Sequence, residues 1–237
     1  MQQINEILDE KLIEYHKSQE KRNYLGASIL GDDCMRKIQL QFLGKDAEIS
    51  ARTLRTFDIG HCLEDLIAHW LRIAGFYLLT KNENGEQFGF SVADGRIAGH
   101  VDGIIQGFPR ELAGAAEELR PASGWWLWEC KTMSQKSWND TNKRGVLVSK
   151  PLYYVQTQLY MAYMELERCL FTALNKDTSE LYFEVIPFDA EAAQRYSDRA
   201  VHKYSKPRKT TNLCLVFPAI HHFTNAKCAS LKTSVGK

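Results

Sequence analysis

Trp125-Trp126-Leu127-Trp128-Glu129-Cys130-Lys131 is the stretch whose reading decides the fold. It is aromatic and apolar, and it follows the breaker run Pro121-Ala122-Ser123-Gly124, the pattern of a short buried strand. Side chains alternate along a strand, so Glu129 and Lys131 share one face with Trp125 and Leu127, while Trp126, Trp128 and Cys130 take the other. An acid and an amine thus stand side by side at the end of a hydrophobic strand. Burying charge is costly unless it is paired or bound to metal. Two readings are open at this point: an ion pair at a surface strand end, or part of a reactive site.

Upstream, Gly99-His100-Val101-Asp102-Gly103-Ile104-Ile105 is another apolar strand with one carboxylate between small residues. If Pro109 to Gly124 reverses the chain, Asp102 and Glu129 fall on neighbouring strands with Lys131 beside them. Two carboxylates converging on one point repel, and a divalent cation relieves that repulsion. A lysine next to the cation can steady a hydroxide nucleophile or a negative phosphorane. That is the equipment of metal-assisted phosphodiester hydrolysis.

The 237 residues suffice for one sizeable domain, expected to have its core over 53–186, helices before it over 1–52 and a basic segment over 199–237. A hydrophobic content of 44% and a charged content of 25% are those of a soluble globular protein. The net charge of +1 gives no global nucleic-acid signature, although a local patch suffices for binding. No apolar run has membrane-spanning length, and Met1 to Glu20 is too polar for a secretory signal. The cysteines at 34, 62, 130, 169, 214 and 228 are scattered without a CxxC, the usage of reduced thiols in a cytoplasmic protein.

Ile4, Ile7, Leu8, Leu12 and Tyr15 keep a helical period, so the chain opens with an amphipathic helix. Its Asp9-Glu10-Lys11 also matches acid-x-lysine, which shows how little that triplet says alone. Ser28 or Asp32 is positioned to cap a helix running to Phe42 and ended by Gly44. A longer helix is predicted from Thr53 to Ala74, with His61 and Glu64 on nearly one face. Strands are predicted at Phe76–Leu79 and Gln87–Ala93 around an Asn82–Gly85 turn, then at Arg96–Gln106 and Trp125–Thr132. Glu111–Arg120 reads as a short exposed helix. Pro151 opens a helix through Tyr153 to Cys169, with Tyr153, Gln156 and Tyr160 on a polar face. Strands at Phe171–Leu174 and Leu181–Ile186 follow, and Asp189 caps a last helix to Lys203. No acid follows Asp198, while Arg199, Lys203, Lys206, Arg208, Lys209, Lys227 and Lys232 do, a segment suited either to a DNA backbone or to solvent. The order predicts an α/β fold, a mixed sheet flanked by helices.

Gly60-His61-x-x-Glu64, Gly99-His100-x-Asp102-Gly103, Glu129-x-Lys131 and Gln156-x-x-x-Tyr160, in this order, resemble the PD-(D/E)XK nuclease superfamily. The pattern is most similar to its RecB-like branch, which includes CRISPR-associated and phage recombination exonucleases. The resemblance runs from about Leu25 to Tyr160 and implies a restriction-endonuclease-like core. It implies Mg²⁺ or Mn²⁺, held by Asp102, Glu129, the carbonyl of Cys130 and Glu64, with His61 as a further ligand. Lys131 would orient or activate the attacking water. Gln156, Tyr160, Tyr153 and Arg36 would contact DNA or support the site. Some relatives hold an iron–sulfur cluster on one early and three late cysteines. Here Cys34 matches the early one, but only Cys214 and Cys228 come late, too few for the usual four thiolates, so no cluster is expected.

The resulting expectation is a metal-dependent deoxyribonuclease, an exonuclease acting on linear single- or double-stranded DNA in recombination, repair or phage DNA processing. It would work alone or beside an annealing protein or helicase, away from membranes. The alternatives are a structure-specific endonuclease and a binding module that kept the fold without the catalysis.

Overall fold

The computed structural model describes residues 2–20, 22–43, 48–107 and 124–204, with the backbone alone at 2 and 200–204. Backbone contacts separate Met1–Tyr204, which holds all of them, from Ser205–Lys237. The elements are α1 (Gln2–Ser18), β1 (Leu25–Gly26) running into a 3-10 turn, α2 (Met35–Phe42), α3 (Ala51–Ile73), β2 (Tyr77–Leu79), β3 (Gly89–Val92), β4 (Ile97–His100) and β5 (Gly103–Gln106). After them come β6 (Trp126–Met133), α4 (Gln135–Ser149), α5 (Pro151–Met164), β7 (Arg168–Asn175), β8 (Leu181–Pro187) and α6 (Ala190–Tyr204). A five-stranded sheet has the order β2-β5-β6-β7-β8, and a three-stranded one the order β1-β4-β3. In the larger sheet β6 and β7 run parallel, and the other pairs are antiparallel. This is the α/β class expected, a mixed sheet flanked by helices behind a helical N-terminal segment.

The alternation along β6 sets the layers. Trp126, Trp128 and Cys130 pack with Ile67, Ala68 and Leu71 of α3. Leu127 and Met133 face the other way, into a cluster with Val155, Leu159 and Tyr160 of α5. Leu127 and Trp128 are both fully buried, and each such side chain contributes roughly 1.5–3 kcal/mol. The indole N–H of Trp128 donates to Thr172 Oγ1 on β7 at 3.1 Å, so the ring is buried without an orphaned donor. Glu129 and Lys131 therefore project toward α5, the helix that carries Tyr153, Gln156 and Tyr160.

The predicted strand Arg96–Gln106 is two strands in two sheets. Ile97–His100 pairs with β1 and β3, whereas Gly103 onward pairs with β2 and β6. Val101 and Asp102 are the crossing point, so the Asp102 side chain sits at a break in the ladder. The turn at Asn82–Gly85 is present, with Asn82 Oδ1 accepting the N–H of Asn84 and Glu86 at 3.0 and 2.9 Å. Beyond a single pairing of Lys81 with Gln87, its two arms go to different sheets rather than forming one hairpin.

The predicted helix to Cys169 ends at Met164, where Glu165 takes the left-handed conformation at φ 60°. Leu166 and Cys169 fit either a helical or a strand period, and pairing with β6 draws Arg168–Asn175 into the sheet. Helix α4 has no counterpart in the prediction. Its sequence is polar, and a backbone interruption at Gly145 (φ 72°, ψ 168°) divides it, with Glu184 Oε2 accepting the Val146 N–H at 2.8 Å. Neither Ser28 nor Asp32 caps α2. Cys34 holds the cap position, and Asp32 Oδ1 accepts its N–H at 2.8 Å. Ser50 caps α3 through Thr53 N at 3.2 Å, and Asp189 caps α6 through Ala192 N at 3.0 Å, the latter as predicted. The Gly44 stop, the reversal and helix within 108–123, the late cysteines and the basic segment past 204 lie outside the described residues. No described helix is long and apolar enough to cross a membrane.

Candidate active site

Asp102, at the break between sheets, reaches the central strand: its Oδ2 accepts the Cys130 N–H at 2.7 Å. Lys131 Nζ donates to Glu129 Oε1, lies 3.2 Å from the Cys130 carbonyl oxygen and 3.8 Å from Asp102 Oδ2. From α5, Gln156 Nε2 donates to the same Glu129 Oε1 at 2.7 Å. The Tyr153 ring lies under the amine, its centroid 5.5 Å from Nζ. The Glu129 side chain is fully buried, while those of Asp102 and Lys131 keep 15% and 21% of their surface exposed. The surface ion pair left open by the sequence is thus excluded for Glu129. The site opens to solvent through Asp102 and Lys131, with Glu129 sealed behind them.

Burial raises the Glu129 carboxyl to about 7, helped by the Asp102 charge and opposed by Lys131 and Gln156. Glu64, half-buried on α3, is raised to about 8, first by burial and then by the Asp102 charge. Burial works against the Lys131 ammonium, but Glu129 and Asp102 outweigh it and hold its pKa well above the ordinary value. Three carboxylates thus act on one another with a single amine among them.

Glu129 Oε2 is buried and has no hydrogen-bond partner among the described residues. A buried carboxylate oxygen without a partner calls for a proton or a cation. Oxygen donors from Asp102, Glu129 and Glu64 fit a hard divalent ion. The Cys130 carbonyl faces the same amine. Among the described residues, no group of three or more His, Cys, Asp or Glu side chains is placed to hold a metal ion, so the fit of these acids is one of donor chemistry.

His61, Glu64, Asp102 and Tyr160 line a common cleft of about 230 Å³, together with Arg22, Tyr24, Gln87 and His100. Tyr160 is 4% exposed and packs edge-on against Phe90 at 5.7 Å. The fold makes room for it with Gly99, where a Cβ would stand 2.7 Å from the Tyr160 ring. Gln156 and Tyr153 contact Glu129 and Lys131, so their observed contacts are to the site itself. Arg36 is on the exposed side of α2, bonded to Gln39 Oε1 at 2.9 Å, and is not among the cleft residues. Arg199, expected to open the basic segment, donates to the Asp32 carbonyl at 2.7 Å and ties α6 to the loop before α2. Tyr24, Gln87 and Arg22 carried no signal in the sequence reading. His100 stood inside the Gly-His-x-Asp motif without a role.

No family model matches the chain, and no curated protein matches it. Among solved structures, the crystal structure of SSO0001 aligns at 20% identity over 84% of this chain and 86% of that one, with a TM-score of 0.48. The exonuclease LHK-Exo in complex with dAMP aligns at 15% identity over 76% and 86%, with a TM-score of 0.49. The alkaline exonuclease LHK-Exo from Laribacter hongkongensis aligns at 18% identity over 81% and 91%, with a TM-score of 0.47. The functional reading rests on the residues of this chain.

Proposed function

We propose that the protein is a metal-dependent deoxyribonuclease that hydrolyses phosphodiester bonds, acting from DNA ends. The observation that carries this reading is the Lys131 amine between Glu129 and Asp102, in front of a buried Glu129 oxygen with no partner among the described residues. Asp102, Glu129 and Glu64 would hold Mg²⁺ or Mn²⁺, with His61 beside them on the cleft. A bound ion would supply charge neutralisation at the phosphoryl oxygens and acidify water.

The residues divide the remaining work. Lys131, whose ammonium stands by Glu129 and Asp102, would orient the attacking water and offset negative charge growing on the phosphoryl group. Gln156 fixes the Glu129 carboxylate, and the Cys130 N–H fixes Asp102, so the acids are held in place before substrate arrives. Tyr153 and Phe171, stacked at 6.3 Å, back the lysine.

The test is a cleavage assay of wild type and Lys131→Ala on end-labelled single- and double-stranded DNA, linear and circular, with Mg²⁺, Mn²⁺ or EDTA. Metal-dependent loss of linear DNA alone, abolished in the variant, is the expected result. Cutting of circles would make the protein an endonuclease. If neither protein cuts while both bind DNA equally, the catalytic reading falls.

A further inference from the structure

The cleft is lined by two unlike sets of side chains, the acids Glu64 and Asp102 and the rings of Tyr24 and His100. The Tyr24 and His100 rings lie 6.3 Å apart, tilted by 53°, and the Arg22 guanidinium stands 6.0 Å from the centre of the Tyr24 ring. Tyr24 is half-buried, while His100 and Arg22 are exposed. Tyr24 precedes β1, which pairs with β4, and β4 ends at His100. None of these residues is needed for the hydrolytic work assigned above.

We propose that Tyr24, with His100 and Arg22 beside it, offers a stacking surface for one unpaired nucleobase next to the bond to be cut. This rests on the nuclease reading and adds the substrate class: a single-stranded end. Three features lead there. A phenol, an imidazole and a guanidinium on one cleft offer π-faces and a cation, the equipment that single-strand binders use for bases of any identity. Glu64 and Asp102 line the same cleft, which suits a cation-bridged phosphate beside them and a neutral base at the rings. The cleft, at about 230 Å³, is smaller than the roughly 300–1,000 Å³ of sites for drug-sized ligands, and a single base is all that is assigned to it.

A paired base has both faces covered by its neighbours and cannot use such a surface, so a duplex must fray before its end enters. Base identity should matter little. The Gln87 amide, the polar side chain nearest to serving as a reader, donates to the Val101 carbonyl at 3.2 Å.

The test is a titration of wild type, Tyr24→Ala and Tyr24→Phe with an oligonucleotide bearing terminal 2-aminopurine, single-stranded or in a blunt duplex. It is run in EDTA and again in Ca²⁺, with thermal unfolding of each protein as a control. Wild type should quench 2-aminopurine in the single strand. Tyr24→Ala should weaken single-strand binding by about tenfold, with the quench lost, and Tyr24→Phe should restore both. Duplex affinity should be the same for all three. Equal single-strand affinity in Tyr24→Ala, an equal loss on single strand and duplex, or no binding by wild type in either condition overturns the stacking surface. The two readings fail separately. Quenching by a wild type that never cleaves with Mg²⁺ or Mn²⁺ sinks the nuclease reading alone, and cleavage indifferent to Tyr24 sinks the stacking surface alone.

Discussion

Gln156 Nε2 donates to Glu129 Oε1 at 2.7 Å, on the oxygen that also receives the Lys131 amine. The glutamine therefore acts on the ionised form of the acid. Gln156→Ala removes one of two donors, and a hydrogen bond to a charged group is worth about 1.5–3 kcal/mol. Turnover should fall roughly 10- to 100-fold on that scale. KM for DNA should stay near wild type, because the amide touches the acid and not the substrate. The rising limb of the kcat–pH profile should move to higher pH. A raised KM with unchanged kcat would instead make Gln156 a DNA contact.

Lys131→Met keeps most of the packing against Tyr153 and removes the charge. Cleavage should drop by at least about 100-fold, the scale of losing one transition-state donor. The cost in stability should stay below the ~3–5 kcal/mol of breaking a fully buried pair, because Lys131 is 21% exposed and Glu129 can take up a proton. Steady-state cleavage and thermal unfolding of the one variant separate these effects. Collapse of the fold would show that the amine is mainly structural.

The raised carboxyls fix the sign of a stability profile. Glu129 at about 7 and Glu64 at about 8 both exceed their ordinary 4.5. Between 4.5 and about 8 the folded chain keeps protons that the unfolded chain has lost, so stability falls as pH rises through this window and levels off above it. A divalent cation favours the ionised acids and should flatten the fall. Melting temperatures across the window, in EDTA and in Mn²⁺, check this. A profile that rises in EDTA would contradict the arrangement, and Glu129→Gln should reduce the slope.

What was legible in the sequence follows from periodicity. The aromatic alternation of Trp125–Lys131 gave both the strand and the face of each side chain, because the two packed layers demand period two. The spacing of Gln156 and Tyr160 placed them on one helix for the same reason. The break at Asp102 was not legible. Gly99–Ile105 reads as one continuous strand, and only its pairing, with β1 and β3 before Val101–Asp102 and with β2 and β6 after, divides it between sheets. Helix α4 escaped because few of its residues are buried and Gly145 interrupts its period. The pairing of Tyr24 with His100 escaped because the two are 76 positions apart and only the fold brings their rings within 6.3 Å.

Gly99 tests the packing behind the cleft. An added methyl would stand 2.7 Å from the Tyr160 ring and 2.8 Å from Phe90, both parts of a packed cluster. Gly99→Ala should cost about 1–3 kcal/mol, the usual range for overpacking. Adding Phe90→Leu should recover part of it by making room. Denaturant unfolding of the single and double variants measures the coupling, and strict additivity would show that the rings yield without strain.

Arg199 separates a structural cation from a DNA-tracking one. Its guanidinium donates to the Asp32 carbonyl at 2.7 Å and also reaches that of Asp33 at 3.4 Å, clasping the loop that opens α2. A cation engaged this way releases no counterions when DNA binds, because it neutralises no phosphate. Arg199→Ala should therefore lower stability by about 1 kcal/mol or somewhat more, as expected for lost hydrogen bonds from a charged donor. The slope of log Kd against log salt for DNA should not change. A slope reduced by about one unit would place Arg199 on a phosphate and return it to the basic segment that follows it in sequence.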